Sequence, residues 1–322
     1  MAIKNEIAAN ARQKINISGW TIVFLNVIII AFFAFTREAF FTVNNIHSIF
    51  YGVSFFYYAA IGFTLLIIMG EIDLSVGSMF GFGGAMMAYF IFLHRLPAGV
   101  AIALSMLTSG VVGLAAGLLI VKFRLNSMMV TIGVMMAIRG MNWILVNRFA
   151  GRQFPVSARA FLNVHVFGIR WTIVVMVLTA LVFEVFLYKS RHLKQLYYIG
   201  QSVDTSILYG LNTGLVKVIC FVVSAMLSAF GGALMTARLA HPNVSVGNNL
   251  EVTIITAAVL GGASIFGGRG SMLRTMLGIL FILVLQNGMT SYNVDTYIQN
   301  VIMGAILILI IFIDVRMNSM RN

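Results

Sequence analysis

Ile68-Met-Gly-Glu-Ile-Asp-Leu-Ser-Val-Gly-Ser78 places two carboxylates and two glycines between long apolar runs. A second polar break follows at Leu260-Gly-Gly-Ala-Ser-Ile-Phe-Gly-Gly-Arg-Gly-Ser271. Hydrocarbon offers the backbone no hydrogen-bond partner, so such breaks persist only where protein or water surrounds them. They mark the working parts of an integral membrane protein.

Composition agrees. Apolar residues make up 60% of the chain, charged residues 9%, and the mean hydropathy is +0.98. A soluble domain carries about a quarter charged residues. The single cysteine, Cys220, lies within an apolar run, which excludes an intrachain disulfide framework. The net charge of +12 does not point to nucleic acid, because the basic residues sit at the ends of apolar runs and form no long soluble arm.

About ten apolar runs follow one another: 17–35, 49–69, 74–93, 97–121, 127–147, 171–188, 215–237, 251–263, 272–289 and 297–313. Most approach the ~20 residues a helix needs to cross a bilayer, whereas 251–263 is short enough for a half-helix. The first run exceeds a signal-peptide core and reads as a retained anchor. The expected fold is therefore an all-α integral membrane protein of about ten transmembrane helices, some broken or short, with both termini cytoplasmic. Its parts are a cytoplasmic segment at 1–16, one transmembrane domain at 17–315 and a cytoplasmic tail at 316–322. In that orientation thirteen Lys and Arg residues fall inside, every lysine among them. Seven fall outside: Arg37, Arg95, Arg148, Arg152, Arg159, Arg170 and Arg238. The bias follows the positive-inside rule. Two connectors are long, an external one at 148–170 and an internal one at 189–214. The pattern of apolar run, polar break, Gly-Ser and apolar run at 61–85 echoes weakly at 253–281.

In the first break, Asp73 or Ser75 is placed to cap a helix starting near Val76. Glu71, Asp73, Ser75 and Ser78 are candidates for a gate or pathway, for contact with another subunit, or for an ordinary turn between helices. The second break is not a phosphate loop, since no Lys-Ser/Thr pair follows its glycines. Gly261, Gly262, Gly267 and Gly268 read instead as a glycine-rich turn allowing close helix approach, with Arg269 toward the cytoplasm. In the internal connector, Ser202 or Asp204 suits the cap of a short helix along the membrane, with Val203, Ile207, Leu208 and Leu211 on its apolar side.

Arg139 lies about 12 residues into its run. A lone arginine at mid-membrane costs at least ~2.5–3.5 kcal/mol, so it requires a partner or water. Glu184 and Asp73 are the acidic candidates, and bracing through carbonyls competes with a pathway role. Glu184 near its helix end also reads as a residue that snorkels. Arg37, Arg148, Arg152 and Arg159 run against the positive-inside bias; they suit carboxylates of a docking protein or, alternatively, lipid headgroups and intrachain carbonyls. Asn44-Asn45 reads as a helix cap. Gly113-x-x-x-Gly117 and Gly77-x-x-x-Gly81 indicate close helix packing. The five histidines are scattered singly, without metal-ligand spacing.

From about residue 38 to 315 the chain resembles the permease subunit of ribose-type, monosaccharide ABC importers. The family signatures "GIDLSVGS" and "LGGTSxxGGxG" are matched by the two breaks, with Glu71 where the family has glycine. The family's "ALGGNxxAAxxSGI" is matched by Tyr197 to Asn212, with Gly200 and Gly210 in place and Asp204-Thr205 replacing paired alanines. The Arg139-Gly140 pair and Asn44-Asn45 also match. The resemblance implies that Gly200, Ser202, Asp204, Thr205, Ile207, Leu208 and Gly210 form the loop that couples to an ATPase. It implies no catalytic, cofactor or metal site on this chain, with ATP and Mg held by partner ATPase subunits. The partners it implies are a second permease, identical or not, two ABC ATPase subunits, an extracytoplasmic sugar-binding protein and membrane lipids. The expected setting is a bacterial inner membrane, and the solute a pentose, hexose or related small polar molecule delivered for alternating-access import. An ion-coupled secondary transporter is the rival reading, and it would call for more ionisable residues at mid-membrane than Arg139 alone.

Overall fold

The computed structural model describes residues 20–319. The segment 1–16 and Arg321 lie outside these residues. Thirteen helices run in the order α1 Trp20–Thr36, α2 Val43–Ile68, α3 Val76–His94, α4 Ala98–Phe123, α5 Ser127–Arg148, α6 Val156–Arg159, α7 Trp171–Lys189, α8 Arg191–Gln201, α9 Val203–Leu208, α10 Thr213–Leu239, α11 Leu250–Leu260, α12 Met272–Ser291 and α13 Thr296–Ser319. Eight of these are long and apolar enough to cross a membrane, namely α2 to α5, α7, α10, α12 and α13; α1 and α11 are shorter apolar helices. The protein is an all-α membrane protein. Each apolar run becomes a helix because only a helix satisfies its own backbone in lipid.

Small polar side chains start several helices. Thr42 accepts from the Asn45 amide, Asn126 from Met128 and Met129, Asn212 from Leu215, and Ser271 from Arg274. Capping of α2 thus belongs to Thr42 and not to Asn44-Asn45. Asn45 instead exchanges two 2.9 Å side-chain hydrogen bonds with Asn287 of α12, tying the two helices together.

The core lies along α2 and α10. From Val53 to Ile68 nearly every residue of α2 is buried, and α10 packs on α2, α3 and α4. The Gly113/Gly117 pair sets α4 against Phe221 and Val218 of α10, while Gly77 and Gly81 meet the 246–251 stretch. By contrast α5 turns Met129, Met136, Trp143 and Ile144 outward, and α13 turns out Val301 and Ile308. Such faces suit hydrocarbon or another membrane subunit.

The two long connectors are structured. Residues 189–214 form α8 and α9. Residues 148–170 form α6, a 3-10 turn at Ala160–Asn163 and an antiparallel pair of two-residue strands, β1 His165–Val166 and β2 Ile169–Arg170. These are the only strands among the described residues, and two residues give no readable alternation.

Candidate functional site

Both breaks meet at one end of the bundle, and the end of α8 meets them there. The Gly268 amide donates to the Ile68 carbonyl at 2.8 Å, joining the second break to the last residue of α2. Gly200 sits directly against this joint: a β-carbon on it would stand 1.9 Å from the Ile68 oxygen and 2.5 Å from the Gly268 nitrogen. Gly267, at φ +85°, faces the Gly200 oxygen and the Gly70 amide. Only glycine permits backbones to approach this closely, and its positive φ carries no side-chain penalty. Tyr197 of α8 adds a 2.8 Å hydrogen bond to the Gly270 carbonyl. Burial holds its phenol above the ordinary range, so it remains a protonated donor.

From this junction α9 projects outward. Ser202 accepts from the Thr205 amide at 3.2 Å and starts the helix, while Asp204 and Thr205 lie exposed in its first turn. Gly210, at φ +78°, ends it. Leu208 and Tyr209 are 87% and 82% exposed, and Ile207 is exposed beside them. Apolar side chains this open, on a helix outside the spans, form an exposed apolar surface of the kind that marks interaction sites.

The first break is centred on a buried side chain, whereas the second is centred on a backbone contact. Asp73 is buried; its carboxylate accepts from the Ser75 amide at 2.9 Å, the Ser75 hydroxyl at 2.5 Å and the Ser224 hydroxyl of α10 at 3.1 Å. Ser75 occupies the N-cap position of α3 without capping it, because its hydroxyl is given to Asp73. Ser127 and Thr131 of α5 accept from the amides of Ile72 and Leu74, and Asn142 donates to the Ser78 carbonyl. Glu71 forms an ion pair with Lys217 at the start of α10. The carboxylates of this break therefore brace their own loop against α10, with α5 holding its amides.

Two further carboxylates take places unlike those read from the sequence. The partner of Arg139 is neither Glu184 nor Asp73. It is Glu251 in the first turn of α11, whose oxygen accepts from the guanidinium at 2.5 Å. The pair joins α5 to α11, and Glu251 was hidden in the sequence as the first residue of a short apolar run. Glu184 does not snorkel: it accepts from the Met272 amide at 2.7 Å, the Leu273 amide at 3.3 Å and the Ser271 hydroxyl at 2.8 Å, capping α12. Its negative charge sits at the positive end of that helix.

Within the second break, Gly261 packs on the Arg274 carbonyl, Gly262 takes φ +88°, and Arg269 is half-buried with its carbonyl accepting from the Ser264 amide.

At the opposite end the arginines are dispersed. Arg37 stacks on Tyr292 at 4.0 Å, Arg152 lies 5.9 Å from the Phe92 ring, and Arg148 is exposed at the end of α5. Arg159 lines a separate cavity of about 700 Å³ with Arg170 and Arg238. A second cavity, of about 310 Å³, lies between α2, α3, α10, α11 and α12. Phe56 and Phe80 line it beside Asn243, Ser245, Asn248, Thr253 and Gln286. Three of these polar residues, Asn243, Ser245 and Asn248, lie in the 241–249 connector, for which the sequence offered no motif. Its Asn and Ser content between two apolar runs was the available signal.

Known proteins place this architecture. The chain is 32% identical to the L-arabinose ABC transporter permease protein AraH of Azospirillum brasilense over 318 residues, covering 96% of this chain and 91% of that protein. It is 27% identical to the ribose import permease protein RbsC of Escherichia coli K12, over 89% of this chain and 91% of the relative. It is 26% identical to the D-allose transport system permease protein AlsC of the same strain, over 91% and 90%. No solved structure matches the chain. The family described as branched-chain amino acid transport system / permease component matches residues 45–311. That match sets aside the ion-coupled secondary transporter and fixes a multi-pass membrane location. With two polar breaks joined at one end of a helical bundle, and a family profile covering most of its length, the chain belongs to the family of branched-chain amino acid transport system permease components.

Proposed function

We propose that the protein is the permease of an ATP-driven monosaccharide importer in a bacterial inner membrane. Its relatives named for arabinose, ribose and allose support the solute class. The observation that carries the mechanism is the contact of Gly200 with both breaks. A push on α9 passes through α8 into the joint between Ile68 and Gly268, and so reaches α2, α11 and α12 together. In this reading the α9 end is cytoplasmic, as are both termini, and Ile207, Leu208 and Tyr209 dock on an ABC ATPase subunit. That subunit carries ATP and Mg, and two such subunits serve two permeases.

Alternating access follows. ATP-driven closure of the ATPase pair moves α8, and the central path opens to the other side. The 310 Å³ cavity suits a sugar in transit. Neutral Asn, Ser, Thr and Gln groups exchange hydrogen bonds with hydroxyls, and two phenylalanines offer apolar faces. Glu71, Asp73, Ser75, Ser78 and Arg139 act around the path as the fixed frame of a gate. On the opposite face Arg148 and Arg152 receive acidic groups of the sugar-binding protein. Arg37 is held by Tyr292 and serves that face as a brace.

The test is the double change Ile207→Asp and Leu208→Asp. Both side chains are exposed, so the bundle should keep its melting temperature while sugar import and binding-protein-stimulated ATP hydrolysis fall to background. Normal import by the double variant would sink the coupling role of α9.

A further inference from the structure

At the end of the bundle opposite α8, the 700 Å³ cavity lies among the start of α2, the end of α10 and the 156–170 segment. Its size falls in the range of small-ligand sites. Three guanidiniums line it, Arg159, Arg170 and Arg238, and none of its lining residues is acidic. Arg170 and Arg238 both lie over the ring of Tyr51, at 4.4 and 4.6 Å from its centre. Two like charges thus share one buried ring, with no carboxylate in the cavity to offset their repulsion. Their contacts leave donors over: Arg238 gives one hydrogen bond to the Ser48 hydroxyl at 3.2 Å, and Arg170 gives one to the Leu162 carbonyl at 3.4 Å and also meets the Tyr51 hydroxyl. A guanidinium has five N–H groups in a planar fork.

We propose that this cavity binds a small hydroxylated carboxylate, a solute of the sugar-acid kind. The planar fork of arginine matches a carboxylate in two parallel hydrogen bonds. Arg170 and Arg238 take the charged group against Tyr51, and Arg159 closes over it from α6. Asn163 and His47 in the same lining serve the hydroxyls. The position of the cations decides between a solute and a flat partner surface. Two of the three sit against the buried ring of Tyr51, where a small molecule reaches both together. The site goes beyond the monosaccharide reading, since a neutral sugar has no group that answers three positive charges.

The experiment uses the full chain in phosphatidylcholine nanodiscs, without ATPase or binding protein, so its outcome is independent of the import reading. Galacturonate and galactose are titrated calorimetrically, with inorganic phosphate as competitor. Galacturonate should bind, galactose should bind at least roughly tenfold more weakly, and phosphate should compete. Arg238→Gln should weaken galacturonate roughly tenfold or more, as expected for loss of a charge-assisted hydrogen bond. Arg159→Gln, on a short surface helix, repeats the test at a site where misfolding is not the explanation. Equal affinity for acid and neutral sugar, or no binding of galacturonate, overturns the proposal. Loss of galacturonate binding when phosphatidylglycerol is added to the discs assigns the cations to lipid headgroups and also overturns it.

Discussion

The two breaks occupy equivalent places, each between a helix that ends and a helix that begins, yet their central contacts differ in kind. The first is held by side chains: Asp73 gathers Ser75 and Ser224, while α5 supplies Ser127, Thr131 and Asn142. The second is joined to its neighbours at the centre by main chain, through the Gly268 amide on Ile68 and the apposition of Gly200, Gly267 and Gly70, while the side chains of Tyr197, Asp314 and Glu184 hold its edges. A side-chain clamp resists motion in one geometry and loses its bonds when the loop shifts. Where Gly200 meets Ile68 and Gly268 no side chain intervenes, so the backbones of α8, α2 and the second break bear on one another directly. The first break reads as the anchor and the second as the transmitter.

The comparison fails most visibly if the joint tolerates bulk. Gly200→Ala places a methyl group 1.9 Å from a backbone oxygen that has nowhere to go. Overpacking costs about 1–3 kcal/mol in ordinary cores and more where backbone must move. The expected result is an effect beyond that range, seen as a large drop in melting temperature in detergent and loss of import. A variant that melts and transports normally would mean that α8 does not bear on the breaks.

Glu251→Ala tests whether α11, which leads into the second break, is pinned by charge. It strands the Arg139 guanidinium, and breaking a buried ion pair costs about 3–5 kcal/mol. Glu251 is buried but the Arg139 side chain is 37% exposed, so the loss should fall below that range, at about 1–3 kcal/mol. Removing Arg139 as well, by Arg139→Leu with Glu251→Leu, should recover much of the loss in melting temperature. No recovery would show that Glu251 acts through something other than its arginine.

Much of this comparison was legible in the sequence, though its key contacts were not. The apolar runs at 74–93 and 127–147 become Val76–His94 and Ser127–Arg148, since length and hydropathy fix a membrane helix. The run at 49–69 is longer in the structure, starting at Val43, because the polar Asn44 and Asn45 lie inside the helix and interrupt the hydropathy. Gly200, Gly267 and Gly268 stood out by type. Which turns touch is a tertiary property that no local pattern encodes, so their meeting could not be read. Glu251 escaped notice for a related reason: a single acid at the head of a short apolar run reads as a boundary. The β1–β2 hairpin and the cavity-lining Asn243, Ser245 and Asn248 lie in connectors without periodicity, where sequence patterns are silent.

The first break should respond to chemistry at constant shape. Asp73→Asn keeps one carbonyl oxygen for Ser75 and loses the second acceptor that takes the Ser224 hydroxyl. The Asn NH2 can donate to the Ser224 oxygen in return, so the loss is that of one acceptor for the hydroxyl proton and falls at the low end of about 1–3 kcal/mol. Asp73→Ala strands Ser75 as well, so its melting temperature should fall further than that of Asp73→Asn. Equal losses in the two variants would show that the acceptor oxygens do not hold the loop.

The smallest effect is expected at Gly268→Val, which separates the two ways in which glycine serves the joint. Gly268 has φ +73°, so any L side chain there carries left-handed strain of about 1–2 kcal/mol, with valine worst among small residues because its branched carbon stiffens the backbone. Space is less of an obstacle: the nearest atom to a new β-carbon is the flexible Gln201 Cγ at 3.0 Å, not backbone as at Gly200. The folded protein should therefore assemble with a modest fall in melting temperature. Import should slow, because the strained turn weakens the Gly268 amide bond to Ile68 that links the breaks. Gly268→Asn gives the control, since asparagine enters the left-handed region several-fold more readily than most residues. Asparagine near wild type with valine impaired assigns the effect to backbone conformation. Equal impairment assigns it to crowding against Gln201, and the joint would then be a matter of packing at both glycines.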